Sequence, residues 1–294
     1  MVVEKEEKKE RVCVTGAGGY LASWVVKFLL AEGYVVHATV RDPCDDKNGH
    51  LKKLEKASKN LKLFKADVLD IQGLCEAFGG CTRIFHIACP VFPPGRIPNH
   101  EVEMIEPAVS GTRNVLDACT KSSIKRVVVV SSVGAVMLNP NWPKDKAMDE
   151  ECWSDTDFCN TIENYYCLAK TISEYEALEY AKRSGMSMVT LCPSIIIGPM
   201  LQSTVNATSL HLLTLLKEVE GRYICTSHVV KNKGFVDMLQ TKYPNYNYPK
   251  SFTEVDEEVK LSSEKLQKLG WKYRPIEETV DDSFKSYEER GLLG

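Results

Sequence analysis

The sequence has no apolar run of the roughly 18–20 residues that a bilayer-crossing helix needs. It has no strong excess of charge of either sign: 37 basic and 40 acidic residues leave a net charge of −3 over 294 residues. Such a mixture offers little to nucleic acid or to an anionic membrane, and neither is expected as a partner. The start, "MVVEKEEKKER", is charged where a secretory leader is apolar. Residues 1–8 are expected to form a solvated, disordered tail, and the protein is expected in the cytoplasm. The 11 cysteines, an odd number, include no CxxC pair. A disulfide framework belongs to small secreted chains. A zinc site needs clustered ligands, and the six histidines do not stand near cysteines in such spacing. No metal is expected. The cysteines read as reduced, buried thiols, with Cys13 in "RVCVTG" and Cys192 in "VTLCPS" in apolar settings. There is no internal repeat and no low-complexity linker.

What is present is an alternation. "RVCVTG" (11–16), "YVVHATVR" (34–41), "LKLFKADV" (61–68), "RIFHIACP" (83–90) and "KRVVVVSS" (125–132) are strand-like, and "MSMVTLCPSIIIGP" (186–199) holds a further buried strand. "YLASWVVKFLLAEG" (20–33), "GTRNVLDACTKSS" (111–123) and "SEYEALEYAKRSG" (173–185) carry helical spacing. Short apolar runs alternating with helices predict an α/β fold, a parallel sheet with helices on both faces. The hydrophobic content, 44%, suits one large domain or two interleaved ones. Past Pro199 the rhythm weakens, which suits a smaller C-terminal lobe.

"VTGAGGYLAS" (14–23) follows the first strand and opens the first helix, with Gly16, Gly19 and Ala22 at a spacing of three. The turn needs a residue without Cβ, a second glycine admits a pyrophosphate, and a small third residue lets helix and strand pack closely. The phosphate would sit on the helix N-terminus. A dinucleotide site is expected here. After the second strand, Arg41 precedes Asp42, with Lys47 further on. The planar fork of Arg41 suits a 2′-phosphate and hence NADP over NAD; the alternative is that Arg41 and Asp42 are solvated loop charges. Asp67, after the third strand, either bonds an adenine amino group or caps the next helix.

"NYYCLAK" (164–170) places Lys170 one helical turn after Tyr166. An ammonium beside a phenol lowers its pKa from about 10 toward neutrality, where a proton donor works best. Taken alone, such a pair is usually a surface coincidence. Here it follows the strand ending in "VVVVSSVGAV", and open α/β sheets place ligands at the C-terminal ends of their strands. A serine there can hold a substrate carbonyl oxygen as charge builds on it.

With these motifs the sequence resembles the extended short-chain dehydrogenases/reductases. The likeness is greatest to the plant group of cinnamoyl-CoA reductases, dihydroflavonol reductases and tetraketide pyrone reductases. "VTGAGGYLASWVVKFLL", "ATVRDP", "FHIACPV", "VVVVSSVGAV", "DEECWSD", "YYCLAKTISE", "CPSIIIGP", "GRYICTS" and "SSEKLQKLGW" carry the resemblance over almost the whole chain. It implies a Rossmann-type, doubly wound parallel sheet at 9–199 with the catalytic residues, and a mainly substrate-binding, interleaved lobe at 200–294. It implies NADP(H) and a small aromatic or polyketide-like substrate, and the protein is expected as a monomer or weak dimer. By resemblance Ser132, rather than Ser131, orients the carbonyl, Tyr166 donates the proton, and Lys170 holds ribose and phenol. The 34-residue separation of Ser132 and Tyr166 matches the group. Asn164 stands where the catalytic-loop asparagine occurs. Gly16, Gly19, Tyr20 and Leu21 would line the pyrophosphate, and Arg41 and Lys47 the 2′-phosphate. Asp67 and Val68 would flank the adenine, Ile87 and Ala88 the ribose, and Pro193 and Ser194 the nicotinamide. Val91 and Phe92 of "CPVFPPG" are either pocket walls or part of a proline-stiffened surface loop.

Two departures from the group stand out. Cinnamoyl-CoA reductases read Asn-Trp-Tyr-Cys-Tyr where this chain has Tyr165 and Leu168 at the changed places, which leans toward the reductase-like relatives and the pyrone reductases. After "NATSLHLLTLLK" (206–217) the chain passes almost at once to "EVEGRYICTS" (218–227). The group places about thirty residues there, and a helix cannot hand over to a parallel strand in two or three residues without strain. One strand-helix segment is therefore expected to be missing near 217–221. The sequence supports an NADPH-dependent carbonyl reductase first. A catalytically impaired NADPH-binding protein and a nucleotide-sugar epimerase are the alternatives, the last disfavoured by Arg41.

Overall fold

The computed structural model describes residues 9–90, 99–203, 232–246, 248 and 274–293. Six strands, β1 (Arg11–Val14), β2 (Val35–Val40), β3 (Leu61–Lys65), β4 (Arg83–His86), β5 (Arg126–Val130) and β6 (Ser187–Leu191), form one sheet in the order β3-β2-β1-β4-β5-β6. All its pairings are parallel. The helices are α1 (Tyr20–Ala31), the short α2 (Gly49–Lys52) and α3 (Ala57–Asn60), α4 (Ile71–Phe78), α5 (Glu106–Lys121), α6 (Thr156–Thr161), α7 (Tyr165–Ser184), α8 (Asn232–Lys242) and α9 (Ile276–Glu288). This is the expected doubly wound α/β fold. The strand order reverses between β1 and β4, and in such sheets the ligand crevice opens beyond the carboxyl ends of those strands.

Period-two alternation in the strands serves both faces. Val12, Val14, Val36, Ala38 and Val40 pack with Val26 and Leu30 of α1. Cys13 and Ile84 face the other way, against Leu74, Ala77 and Phe78 of α4 and Val115, Leu116 and Cys119 of α5. Each large aliphatic or aromatic side chain so buried contributes about 1.5–3 kcal/mol. Gly33 and Gly185, just past α1 and α7, have φ of 88° and 70°, the left-handed helix exit that the sequence marked with glycine.

The chain forms two compact units. The first comprises Met1–Ser131, Leu168–Leu191 and Leu201–Thr204, and the second Ser132–Cys167, Cys192–Met200 and Val205–Gly294. The sheet belongs to the first. The second holds α6, the first turn of α7, α8 and α9, with a core of Val236, Leu239, Ile276, Val280 and Phe284. Tyr243 stacks on Phe284 at 3.6 Å between ring centroids.

Three expectations are corrected. The helix expected at 111–123 runs from Glu106 to Lys121, because Pro107 sits in its first turn, where a missing N–H does no harm. The strand within 186–199 is not buried: Val189 and Leu191 are 37% and 38% exposed. It ends the described sheet, with β5 as its neighbour, and full burial needs cover on both faces. Cys192, next along the chain, is exposed rather than buried, as is Cys44; six of the ten described cysteines are buried, and all ten are free. Among the described residues no helix is long and apolar enough to cross a membrane. The expected tail at 1–8 and the segment at 217–221 lie outside the described residues, as do Val91 and Phe92.

Candidate functional site

The first unit carries the phosphate turn. Gly16 leaves β1 with φ of +66°, and a Cβ there would stand 2.9 Å from both Cα and Cβ of Ala88. Its N–H donates to the Thr39 hydroxyl at 3.2 Å. Gly19 N–H donates to Gly16 O at 2.9 Å, and Gly19 then caps α1 with extended backbone and no side-chain hydrogen bond. No acidic residue occupies the first turn of α1. A helix N-terminus of this kind, with Tyr20 and Leu21 as its first residues, suits an anion. The residues present fit a dinucleotide pyrophosphate.

The loop after β2 is more ordered than its charges suggest. Asp45 accepts from Lys47 N–H at 3.0 Å, and the Lys47 ammonium meets its carboxylate at 2.5 Å. The Lys47 hydrogen bonds, with Arg41 nearby, hold the Asp45 carboxyl below the usual range. Arg41 and Lys47 are exposed. Asn48 is 2% exposed and donates to Asp42 O at 2.8 Å. A Cβ on Gly18 would meet its Oδ1 at 2.2 Å. Asn48 thus ties the Arg41–Lys47 loop to the phosphate turn. The sequence reading missed it, since nothing local marks a buried asparagine.

Asp67 accepts from Leu69 N–H at 3.0 Å, whereas α4 is capped by Asp70, which accepts from Gly73 N–H at 3.0 Å. Of the two readings of Asp67, the helix cap is therefore excluded. Val68 packs on α5, where a Cβ on Gly111 would meet its Cγ2 at 2.6 Å.

Ile87 and Ala88 donate their N–H groups to the Thr15 hydroxyl, each at 3.1 Å. With its oxygen so engaged, Thr15 gives its proton to His86 Nδ1 at 3.0 Å. The opposite ring nitrogen faces Thr112 Oγ1 at 3.2 Å, and Thr112 donates to Ala108 O at 2.7 Å. His86 is thereby the neutral Nε2–H tautomer. Burial, and after it the charge of Lys170, pushes its pKa down to about 3. This chain fixes the backbone of Ile87 and Ala88 against Gly16.

Lys170 is 6% exposed, and its ammonium donates to Val130 O at 3.2 Å. Ser131, buried beside it in sequence, donates to Glu174 Oε2 at 2.5 Å.

In the second unit Ser132 begins a tight turn, accepting from Gly134 N–H at 3.0 Å. A Cβ on Gly134 would stand 3.3 Å from Ser132 Oγ and 3.4 Å from the Tyr166 ring. The hydroxyl and the phenol ring flank one glycine, which the sequence reading did not single out. Asn164 accepts from Cys167 N–H at 3.1 Å, so its side chain starts α7, and Glu163, at φ of 55°, turns the chain into it. Pro193 O accepts from Val133 N–H at 2.9 Å, which holds the Pro193–Ser194 loop to the Ser132 turn. Tyr166 and Lys170 lie one turn apart on the unbroken helix α7.

The sequence profile of the NAD dependent epimerase/dehydratase family matches residues 12–226. The chain belongs to this family, the extended short-chain dehydrogenases/reductases, and is an oxidoreductase. Within it, cinnamoyl-CoA reductase 1 of Petunia hybrida is 40% identical over 316 aligned positions, covering 96% of this chain and 93% of that protein. Tetraketide alpha-pyrone reductase 1 of Arabidopsis thaliana is 36% identical, covering 98% of each. The solved vestitone reductase of alfalfa superposes with a TM-score of 0.82 at 27% identity, covering 97% of this chain and all of that one. The petunia alignment has 316 positions and this chain 294 residues, so that relative carries residues for which this chain has no counterpart.

Proposed function

We propose that the protein is an NADPH-dependent reductase of a carbonyl in a phenylpropanoid- or polyketide-like small molecule. The observation that carries this is the pairing of Ser132 Oγ and the Tyr166 ring about Gly134, with Lys170 one turn along α7 from Tyr166. When bound, NADPH supplies the hydride. The Ser132 hydroxyl donates to the carbonyl oxygen, and Tyr166 delivers the proton as charge develops there. Lys170 stabilises the phenolate left on Tyr166. The turn at Gly16–Gly19 and the start of α1 take the pyrophosphate, and Arg41 the 2′-phosphate. Free thiols throughout the described cysteines support the cytoplasm as its compartment.

Arg41→Ala is expected to weaken NADPH binding by about tenfold to a hundredfold and to leave NADH binding unchanged. Lys47→Ala is expected to do less, because Asp45 already engages that ammonium. Fluorescence titration with both cofactors checks this. Equal losses for NADPH and NADH would mean that Arg41 shapes the loop rather than reads the phosphate.

A second reading is favoured by the length difference from the petunia relative: the cofactor half is complete and turnover is impaired. NADPH oxidation is to be assayed on hydroxycinnamoyl thioesters, aldehydes and pyrones, beside a chain with the relative's extra segment inserted at 217–221. Turnover only in the lengthened chain, with equal NADPH affinity in both, establishes this second reading. Turnover in both overturns it.

A further inference from the structure

The first unit contains a recess whose polar lining is His86, Thr112, Ser131, Lys170, Ser173 and Glu174. The proposed function uses only Lys170 among these. Glu174 is 5% exposed, a burial that a carboxylate tolerates only when paired or hydrogen-bonded. It takes the Ser131 proton at 2.5 Å, while Lys170 bonds Val130 O at 3.2 Å. Two successive residues at the end of β5 are thus each tied to α7 by one side chain. The next residue is Ser132. Tyr166, Lys170 and Glu174 recur at every fourth position of α7, and so share one helical face.

The recess also poses a charge problem. A buried ammonium bonded to a neutral carbonyl needs a counter-charge close by. The titratable groups lining the recess are His86 and Cys89 from the end of β4, and Lys170 and Glu174 from α7; β5 and α5 present only Ser131, Thr112 and valines. His86 is held neutral by burial, and after it by the charge of Lys170, with its tautomer set by two threonines. Cys89 donates to Pro90 O as a thiol. Among the described residues lining the recess, Glu174 is the one carboxylate.

We propose that Glu174 is a positioning residue of the reductase: it fixes Ser131 at the strand end that delivers Ser132, and it supplies the carboxylate that faces Lys170 across the recess. This rests on the reading of Tyr166 as proton donor and Lys170 as its cation. Glu174→Gln keeps an oxygen for Ser131 and removes the charge. Without that negative charge, the Lys170 ammonium faces no carboxylate among the described residues lining the recess.

The test uses the full chain, NADPH and whichever hydroxycinnamoyl thioester, aldehyde or pyrone it turns over, with NADPH binding followed separately by tryptophan quenching. In E174Q the alkaline limb of kcat/KM, and that of NADPH affinity, is expected to move down by about one pH unit. E174D, which retains the charge, is expected to return both limbs to their wild-type position. Ser131→Ala is expected to lower kcat severalfold with neither limb moved. Should E174Q not fold, Glu174→Leu combined with Ser131→Ala removes both partners of the bond together with the charge and carries the same test. Unmoved limbs in the charge-neutral variant, or equal shifts in E174Q and E174D, would overturn the inference. Tyr166→Phe separates the two readings: an active Tyr166→Phe refutes the proton-donor assignment itself, whereas an inactive one with unmoved limbs in E174Q refutes only the role of Glu174.

Discussion

Tyr166→Phe is expected to lower NADPH oxidation by about a hundredfold or more while NADPH binds as before. The substitution removes one oxygen and keeps the ring that lies 3.4 Å from the Gly134 Cβ position. Tyr166 is half-buried, so loss of its hydroxyl leaves folding within about 1 kcal/mol of wild type. Removing the proton donor without disturbing packing is therefore possible at this position. The adjacent phenol supplies the control. Successive helical residues point about 100° apart, so Tyr165→Phe removes the same atom from another face and is expected to leave turnover intact. Ser132→Ala is expected to fall between the two, because the tyrosine can still protonate an oxygen that is less well held. Steady-state rates on the three variants, with cofactor titrations beside them, decide the matter. Normal turnover in Tyr166→Phe would end the reductase mechanism proposed here, and collapse in Tyr165→Phe would move the proton donor by one residue.

How much of this was legible in the sequence follows the range of each signal. The β1–turn–α1 unit was plain because its determinants are local: a valine-rich strand, glycines at fixed spacing and a helix closed by Gly33. The parallel sheet followed from the alternation alone. Candidate residues near one another in the chain were read as sets, as with Tyr166 and Lys170 on one helix. Side chains that act through distant partners were not. Thr15, His86 and Thr112 form one hydrogen-bonded chain, yet 71 residues separate the first two and 26 the last two. Glu174 meets Ser131 across 43 residues. No periodicity encodes such pairs. The ambiguity at Asp67, between an adenine contact and a helix cap, behaves the same way: only the folded backbone shows that Asp70, three residues on, caps α4. The exposure of β6 and Cys192 was missed for another reason. An apolar run looks identical in the middle of a sheet and at the end of the described one, because burial depends on neighbours rather than on the run itself.

The second large effect is expected at Gly16. Gly16→Ala is expected to weaken NADPH binding by at least about tenfold and to destabilise the fold by about 2–4 kcal/mol, combining left-handed strain and steric conflict. Two separate features of the position act together. At φ of +66° an L side chain is strained wherever it points. The added methyl would also lie 2.9 Å from the Ala88 backbone and side chain. Ala88 cannot retreat easily, since its N–H and that of Ile87 are pinned to Thr15, and Thr15 to His86. The strain therefore passes either into the phosphate turn, which moves away from the helix N-terminus it must present, or into the buried threonine–histidine chain. Gly18 provides the comparison that isolates this argument. A methyl there would meet a side-chain atom, Asn48 Oδ1, at 2.2 Å, and no positive φ is involved. Gly18→Ala is expected to lose affinity mainly for NADPH over NADH, because Asn48 anchors the loop bearing Arg41 and Lys47, and Asn48→Ala is expected to restore part of its stability by making room. No such partner change rescues Gly16→Ala, whose obstacle is backbone. Thermal unfolding and titrations with both cofactors on Gly16→Ala, Gly18→Ala and the Gly18→Ala/Asn48→Ala double variant check the ranking. A Gly16→Ala chain that binds NADPH like wild type would show that the turn at the end of β1 is not the phosphate site.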